Sequence, residues 1–156
     1  MKGHLEKIRD FIGQKYIAVT GVSSTHPDAA NFIFKKFKNA NYHVFAINPG
    51  AAMVENEKAY PNITAIGNKI DGVVIASPPS SAQSIIEECL SLGIQRIWFH
   101  SSVNQGSLDQ EAAEYAEKKG MEVIRTGCPL MYIKPIDFPH KCLKWVLNLT
   151  GKVPAK

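Results

Sequence analysis

A cluster of small hydroxylated residues follows the first strongly apolar run of the chain. The run at 16–20 is followed by Gly21, Val22, Ser23, Ser24 and Thr25, and then by a stretch with helical periodicity. Backbone N–H groups at the start of a helix, with nearby hydroxyls, hold a phosphate without needing a lysine. The segment therefore predicts an anion-binding loop. Simple chain turning and helix capping are the alternative.

Four further loops follow apolar runs and share this chemistry. Each consists of small, polar or backbone-constraining residues, and none carries a carboxylate before the next helix begins. In open parallel sheets, ligands bind beyond the carboxyl ends of the strands, where the strand order reverses. We therefore expect the five loops to meet at one edge of a sheet. The four are Asn48-Pro49-Gly50, Ser77-Pro78-Pro79, Ser101-Ser102-Val103 and Gly127-Cys128-Pro129.

Strand-like and helix-like segments alternate along the chain. Short runs rich in Val, Ile, Phe and Tyr predict strands at 16–20, 42–47, 72–77, 96–100 and 122–126. Amphipathic stretches between them predict helices at 27–39, 80–92 and 107–119. Continuous apolar strands separated by helices are typical of a parallel sheet covered on both faces. The predicted fold class is α/β, a Rossmann-like doubly wound parallel sheet of five to six strands.

The remaining segments complete one predicted domain over residues 1–156, with its core at 15–130. Amphipathic helices are expected at 3–12 and 137–149, and a short edge strand near Lys58-Ala59-Tyr60. The third internal helix opens on Ser107, at capping-box spacing from Gln110, and ends in a basic turn before Gly120.

Composition excludes several classes of function. The formal charge of +4 comes from lysines spread along the chain, so no nucleic-acid patch is indicated. No apolar run reaches the roughly 18 residues that a membrane helix requires, and the N-terminus lacks a signal-peptide core. An odd set of three cysteines suits reduced thiols. We expect a cytoplasmic protein without a membrane contact.

A nicotinamide cofactor is disfavoured at the first loop. The dinucleotide fingerprint requires G-x-G-x-x-G, whereas this loop has the single glycine Gly21. An acidic residue should end the second strand to bind a ribose hydroxyl, but Asn48 stands there. No arginine follows Asn48 closely, as a site for the phosphorylated nicotinamide cofactor would require.

Four motifs of the chain resemble, in the same order, those of the stand-alone CoA-binding domain proteins. They are "IAVTGVS", "VFAINPG", "VVIASPP" and "GCP". These are similar to the N-terminal domain of the succinyl-CoA synthetase α subunit, and the resemblance covers about residues 12–135. It implies a Rossmann-type domain that holds the adenosine diphosphate part of coenzyme A. The cofactor expected from it is coenzyme A or an acyl-CoA.

The resemblance also implies a role for each loop. The loop from Gly21 to Thr25 would face the pyrophosphate, and Asn48, Pro49 and Gly50 would lie by the adenosine and its ribose phosphate. Ala76, Ser77 and Pro78 would lie against the adenine. Ser101, Ser102 and Val103 would flank the pantetheine.

Two departures from the family concern the 3′-phosphate. Relatives often carry an arginine where this chain has His26-Pro27-Asp28, and the synthetases a basic residue where it has Ala51-Ala52-Met53. The candidate cations in their place are His26, His43 and Lys58, and the sequence favours none of them over the others.

The expected function is a non-catalytic CoA-binding or regulatory module. His100, beside Ser101, lacks the paired carboxylates or nucleophile elbow of a catalytic site. Cys128 is a candidate reactive thiol, able to form a mixed disulfide with the CoA thiol, with an inert buried cysteine as the alternative. A metal site of Cys128, His140 and Cys142 lacks a fourth ligand.

The alternatives are an NAD(P)-dependent oxidoreductase, a thiol-dependent CoA enzyme acting through Cys128, and a scaffold that has lost its ligand. A homo-oligomer is compatible with the apolar C-terminal helix.

Overall fold

The computed structural model describes residues 2–67, 69–101, 106–135, 141 and 144–146. Seven strands and four helices of at least nine residues alternate within this part of the chain, with three short 3-10 turns between them. In chain order the elements are α1 His4–Ile12, β1 Tyr16–Thr20, α2 Ala29–Asn39, β2 His43–Ile47, β3 Met53–Val54, β4 Glu57–Tyr60, β5 Gly72–Ile75, α3 Ala82–Ser91, β6 Arg96–Phe99, α4 Gln110–Lys118 and β7 Glu122–Ile124.

The seven strands form one sheet in the order β3-β4-β2-β1-β5-β6-β7. All neighbouring pairs are parallel except β3 with β4, which are antiparallel. Strand β1 lies in the middle, with β2 on one side and β5 on the other. The chain leaves β1 towards β2 and later returns to β5, so the strand order reverses beside β1. The fold class expected from the sequence is confirmed.

Helices α1 and α2 cover one face of the sheet. Phe11 of α1 packs edge-on against the Trp98 ring of β6, with 5.3 Å between the ring centroids, and lies 6.4 Å from the Phe37 ring of α2. Ile17 and Val19 point to this face because alternate residues of a strand share a side. Apolar burial on this face therefore joins both helices to the centre of the sheet.

Helices α3 and α4 cover the opposite face. Ala18, which lies between Ile17 and Val19 in β1, packs with Ile86 of α3 and with the small residues of α4. Ala112, Ala113 and Ala116 give α4 a thin contact surface, which allows the helix to lie close to the strands. Burial on both faces explains why the strands are continuously apolar in sequence.

Helix α4 begins later than the sequence predicts. The capping residue is Asp109, whose side chain accepts a hydrogen bond from the Ala112 N–H at 2.9 Å, and not Ser107. Ser107 is buried, and its N–H donates to the His100 carbonyl at 2.9 Å. The Ser107 capping box is therefore wrong, because this residue ties its loop back to the end of β6.

The edge of the sheet differs from the expectation in one strand. The short strand near Lys58–Tyr60 is present as β4, and the two-residue β3 adds an antiparallel hairpin outside it.

The helix predicted at 137–149 lies largely outside the described residues. No helix in the described part of the chain is long and apolar enough to cross a membrane.

We expect Phe11→Ala to lower the free energy of unfolding by about 3–5 kcal/mol, because it leaves a cavity beside Trp98 that the sheet cannot close. Urea denaturation followed by tryptophan fluorescence measures the loss. Phe32→Ala is the control, because Phe32 of α2 is 59% exposed. The control should change stability by less than about 0.5 kcal/mol. Equal losses in the two variants would contradict the packing described.

Candidate functional site

A cavity of about 720 Å³ opens at the carboxyl edge of the sheet, where the strand order reverses. Its walls come from the loops after β1, β2, β4 and β5 and from one side of α3. Seven of the residues predicted for the site line it. They are Gly21, Val22, Ser23, Asn48, Pro49, Ser77 and Pro78.

The other predicted positions that the structure describes do not line the cavity. Ser24, Thr25, Gly50, Ala76 and Ser101 are not among its lining residues. Ser102 and Val103 lie outside the described residues, so the pantetheine side of the prediction has no structural description. The cavity therefore brings together the first three predicted loops.

Gly21 follows β1 directly and lies against the backbone that follows β5. Its φ is +83°, and a Cβ at this position would lie 2.8 Å from both the Ala76 carbonyl oxygen and the Ser77 nitrogen. Any other residue would suffer both the unfavourable φ and the clash with backbone. The glycine thus fixes the floor of the cavity by its lack of a side chain.

The loop after Gly21 turns around the Ser23 hydroxyl. Ser23 Oγ accepts hydrogen bonds from the Thr25 N–H at 3.2 Å and the His26 N–H at 2.9 Å. Its own proton donates to no described residue, so it is available to a ligand. The N–H groups of Gly21, Val22 and Ser24 likewise donate to no described residue. Unused donors grouped in this way suit a phosphate.

A chain of hydroxyls with a fixed direction crosses the cavity wall. Ser81 Oγ donates to the Pro78 carbonyl at 2.8 Å, so it accepts from Ser77 Oγ at 2.7 Å. Ser77 in turn accepts from Thr20 Oγ1 at 2.9 Å, and Thr20 accepts from the Ala76 N–H at 3.2 Å. Each proton in the chain is used. Ser77 and Ser81 therefore offer lone pairs, rather than protons, to a ligand.

Asn48 joins the first two loops. Its Nδ2 donates to the Val22 carbonyl at 2.9 Å, and its Oδ1 accepts from the Gly50 N–H at 2.8 Å. An aspartate at this position would lack the donor and would place a carboxylate oxygen against the Val22 carbonyl. The amide therefore explains why the acidic residue of nicotinamide-binding sites is replaced here.

Two segments of the wall were missed from the sequence. Pro61, Asn62 and Ile63 follow β4, and the rule on strand ends would have found them once the short strand was predicted. The other segment is one face of α3 with the turn before it, whose serines carry no distinctive spacing. It contributes Ser80, Ser81, Ser84, Ile85 and Glu88.

Charge is sparse around the cavity. Glu88 is the one ionisable side chain among the described lining residues. Its Oε1 accepts from the Thr64 N–H at 2.8 Å and from the Thr64 hydroxyl at 2.5 Å. The carboxylate thus holds the short turn at Thr64–Ile66 against α3. A phosphate bound in the cavity would be held by backbone and hydroxyl donors.

Cys128 lies in the core beside Tyr132. Its side chain is 2% exposed, and it packs with Trp98, whose Nε1–H donates to the Gly127 carbonyl at 3.1 Å. Burial raises the pKa of the neighbouring Tyr132 hydroxyl to about 12. Access to Cys128 would require this segment to move, and the reactivity of its thiol stays a prediction. His140 and Cys142 lie outside the described residues.

Comparison with known proteins identifies the family of the chain. The sequence pattern of the CoA binding domain matches residues 15–134. An ADP-forming acetate–CoA ligase of Archaeoglobus fulgidus is 25% identical over 124 residues, which is 73% of this chain and 18% of that protein. A second such ligase of the same organism is 28% identical over 120 residues, again 18% of its length. The chain thus matches less than a fifth of these relatives.

Solved structures share the architecture. A hypothetical protein from Pyrococcus horikoshii is 26% identical, with a TM-score of 0.72 over 80% of this chain and 85% of that one. The dinucleotide forming acetyl-coenzyme A synthetase 1 of Ca. Korarchaeum cryptofilum is 25% identical, with a TM-score of 0.59 over 70% of this chain and 25% of that one.

The match to the family pattern spans well over half of the sequence and includes every loop of the cavity. The chain belongs to the CoA binding domain family.

Proposed function

We propose that this chain binds coenzyme A or an acyl-CoA through the adenosine diphosphate part, as a binding or regulatory module that catalyses no reaction itself. The observation that carries the proposal is the set of unused donors at the cavity wall, which are the N–H groups of Gly21 and Val22 and the hydroxyl of Ser23. Family membership supports coenzyme A as the ligand, and this donor group supports the assignment of its pyrophosphate to the cavity.

The shape of the cavity supports an adenosine beside the pyrophosphate. Its volume of about 720 Å³ is in the range of cofactor sites. Ile47, Ile63 and Ile85 give it apolar walls that suit a planar base. The lone pairs of Ser77 and Ser81 suit the hydroxyls of a ribose or the amino group of a base, both of which donate protons.

The chemistry of the described wall supports binding without catalysis. Acid–base catalysis requires an ionisable group placed to exchange a proton with the substrate. Glu88, the ionisable group on the described wall, is held by two hydrogen bonds from Thr64. For this chain we therefore propose only the CoA-binding part of the work of the acetate–CoA ligases that it resembles.

Isothermal titration with a panel of ligands tests the proposal. CoA should bind at least tenfold more tightly than NAD or NADP, because the loop lacks the glycines that a nicotinamide dinucleotide requires. ADP should compete with CoA, and phosphopantetheine should not. A preference for NAD or NADP, or no binding of CoA, would contradict the proposed function. Displacement by phosphopantetheine but not by ADP would contradict anchoring through the ADP part.

Ser23→Asp separates the shape of the loop from its charge. The carboxylate can still accept hydrogen bonds from the Thr25 and His26 N–H groups, but it loses the free proton and repels a phosphate. We expect CoA affinity to fall at least tenfold, with little change in stability. Ser91→Asp, at the far end of α3, is the control and should keep the affinity of the unmodified protein. Unchanged CoA affinity in Ser23→Asp would show that the pyrophosphate binds elsewhere.

A further inference from the structure

Asn31 is a buried polar residue that contacts the loop on the cavity floor. The side chain is 1% exposed although it lies in the first turn of α2. Its Oδ1 accepts from the Ser23 N–H at 2.9 Å, and its Nδ2 donates to the Ser23 carbonyl at 2.8 Å. The amide thus binds both polar groups of a single loop residue, as a neighbouring strand would. This pairing fixes the orientation of the peptide groups on both sides of Ser23.

Glu55 holds the other side of this amide. Asn31 Nδ2 also donates to Glu55 Oε1 at 2.7 Å, and Glu55 Oε2 pairs with the Lys35 ammonium at 2.7 Å. The Glu55 side chain is 16% exposed, whereas that of Lys35 is 49% exposed. The Lys35 and Asn31 contacts both lower the pKa of the Glu55 carboxyl, so it stays ionised as an acceptor. A hairpin at the edge of the sheet is thereby connected to the ligand loop.

The backbone at Glu55 is unusual for its residue type. Glu55 and Asn56 have φ of +50° and +61°, as in the two-residue turn that joins β3 to β4. Such turns favour Asn-Gly or Asp-Gly, because a glutamate rarely adopts a left-handed conformation. A strained residue of this kind persists where its surroundings hold it, and such sites are often functional. Its contact with Asn31 gives the strained glutamate a role.

We propose that Asn31 is a positioning residue for the ligand and that Glu55 sets its orientation. Asn31 uses the Ser23 N–H and carbonyl internally, while the Gly21, Val22 and Ser24 N–H groups and the Ser23 hydroxyl donate to no described residue and are available to a ligand. The hairpin from β3 to β4 therefore contributes to affinity for a diphosphate through Glu55. This inference deepens the proposed function and rests on it for the identity of the ligand.

Substitution of Glu55 distinguishes positioning from simple electrostatics. Glu55→Ala removes a negative charge near the loop, so electrostatics alone would strengthen the binding of an anion. Positioning predicts the opposite, because the Asn31 amide loses one of its two acceptors. We expect the Kd for CoA to rise about fivefold to tenfold in Glu55→Ala, in line with the loss of one hydrogen bond.

Glu55→Gln is the matched control. The glutamine keeps an acceptor for Asn31 Nδ2 and removes the same charge, and its left-handed backbone is strained to the same degree as that of alanine. We expect the Kd of this variant to stay within about twofold of the unmodified protein or to fall. Tighter binding in Glu55→Ala, or equal weakening in both variants, would overturn the proposal.

Hydrogen exchange gives a measurement that needs no ligand. Asn31→Leu keeps the size of the side chain but can neither accept from the Ser23 N–H nor donate to its carbonyl, so the loop should lose its pairing with α2. The Ser23 N–H should then exchange at least tenfold faster by NMR, whereas Asn39→Leu, on the exposed end of the same helix, should leave it unchanged. Unchanged exchange in Asn31→Leu would overturn the positioning role.

The two kinds of failure are distinguishable. If the unmodified protein binds none of CoA, ADP and NAD, the proposed function fails, while the exchange rates still decide whether Asn31 orders the loop. If CoA binds normally and the Ser23 N–H is unaffected by Asn31→Leu, the proposed function stands and the positioning role is wrong. Glu55→Ala can also be tested by exchange should its affinity be too low to measure.

Discussion

The approach of two backbones at Gly21 is the constraint on which the ligand edge depends. Strands β1 and β5 are paired, and beyond their ends Gly21 contacts the Ala76–Ser77 peptide so closely that a Cβ would lie 2.8 Å from it. The contact sets Thr20 beside Ser77, where the chain of hydroxyls begins. The positive φ of Gly21 also turns the chain into the loop that carries the unused N–H groups. Both the donors and the acceptors of the site therefore follow from one glycine.

Much of the fold could be predicted because burial on two faces leaves a strong signal. The five main strands are continuously apolar, and a parallel sheet is the simplest structure that buries them. The loops after β1, β2 and β5 could be assigned to one edge because parallel strands end on the same side. No packing detail was needed for Gly21, Asn48 or Ser77, since each lies within two residues of the end of a strand. The direction in which the chain runs through each strand was sufficient to assign these residues to the ligand edge of the sheet.

The parts that could not be predicted depend on contacts between distant residues. Asn31 lies in an amphipathic helix, where a polar residue normally faces solvent, and its burial depends on Ser23 and on Glu55, 24 positions away. Strand β3 has two residues, too few for any periodicity, and its turn lacks the glycine that marks such hairpins. Ser107 has the spacing of a helix cap, but its position is decided by a bond to the His100 carbonyl.

The fold also distinguishes among the three side chains that the sequence suggests as cations for a 3′-phosphate. His43 opens β2 and stacks on Tyr16 at 4.7 Å, so it lies at the amino edge, about 13 Å along the strand from Ile47 at the cavity. Lys58 Nζ lies 4.7 Å from the centre of the Tyr60 ring, and Tyr60 immediately precedes Pro61 of the cavity wall. The His26 ring forms a hydrogen bond with the Thr25 hydroxyl within the loop. Both of these are exposed, and neither is fixed by an ion pair among the described residues. Neither side chain lines the cavity, so a contact of either one with a 3′-phosphate stays a prediction, whereas His43 lies at the opposite edge of the sheet.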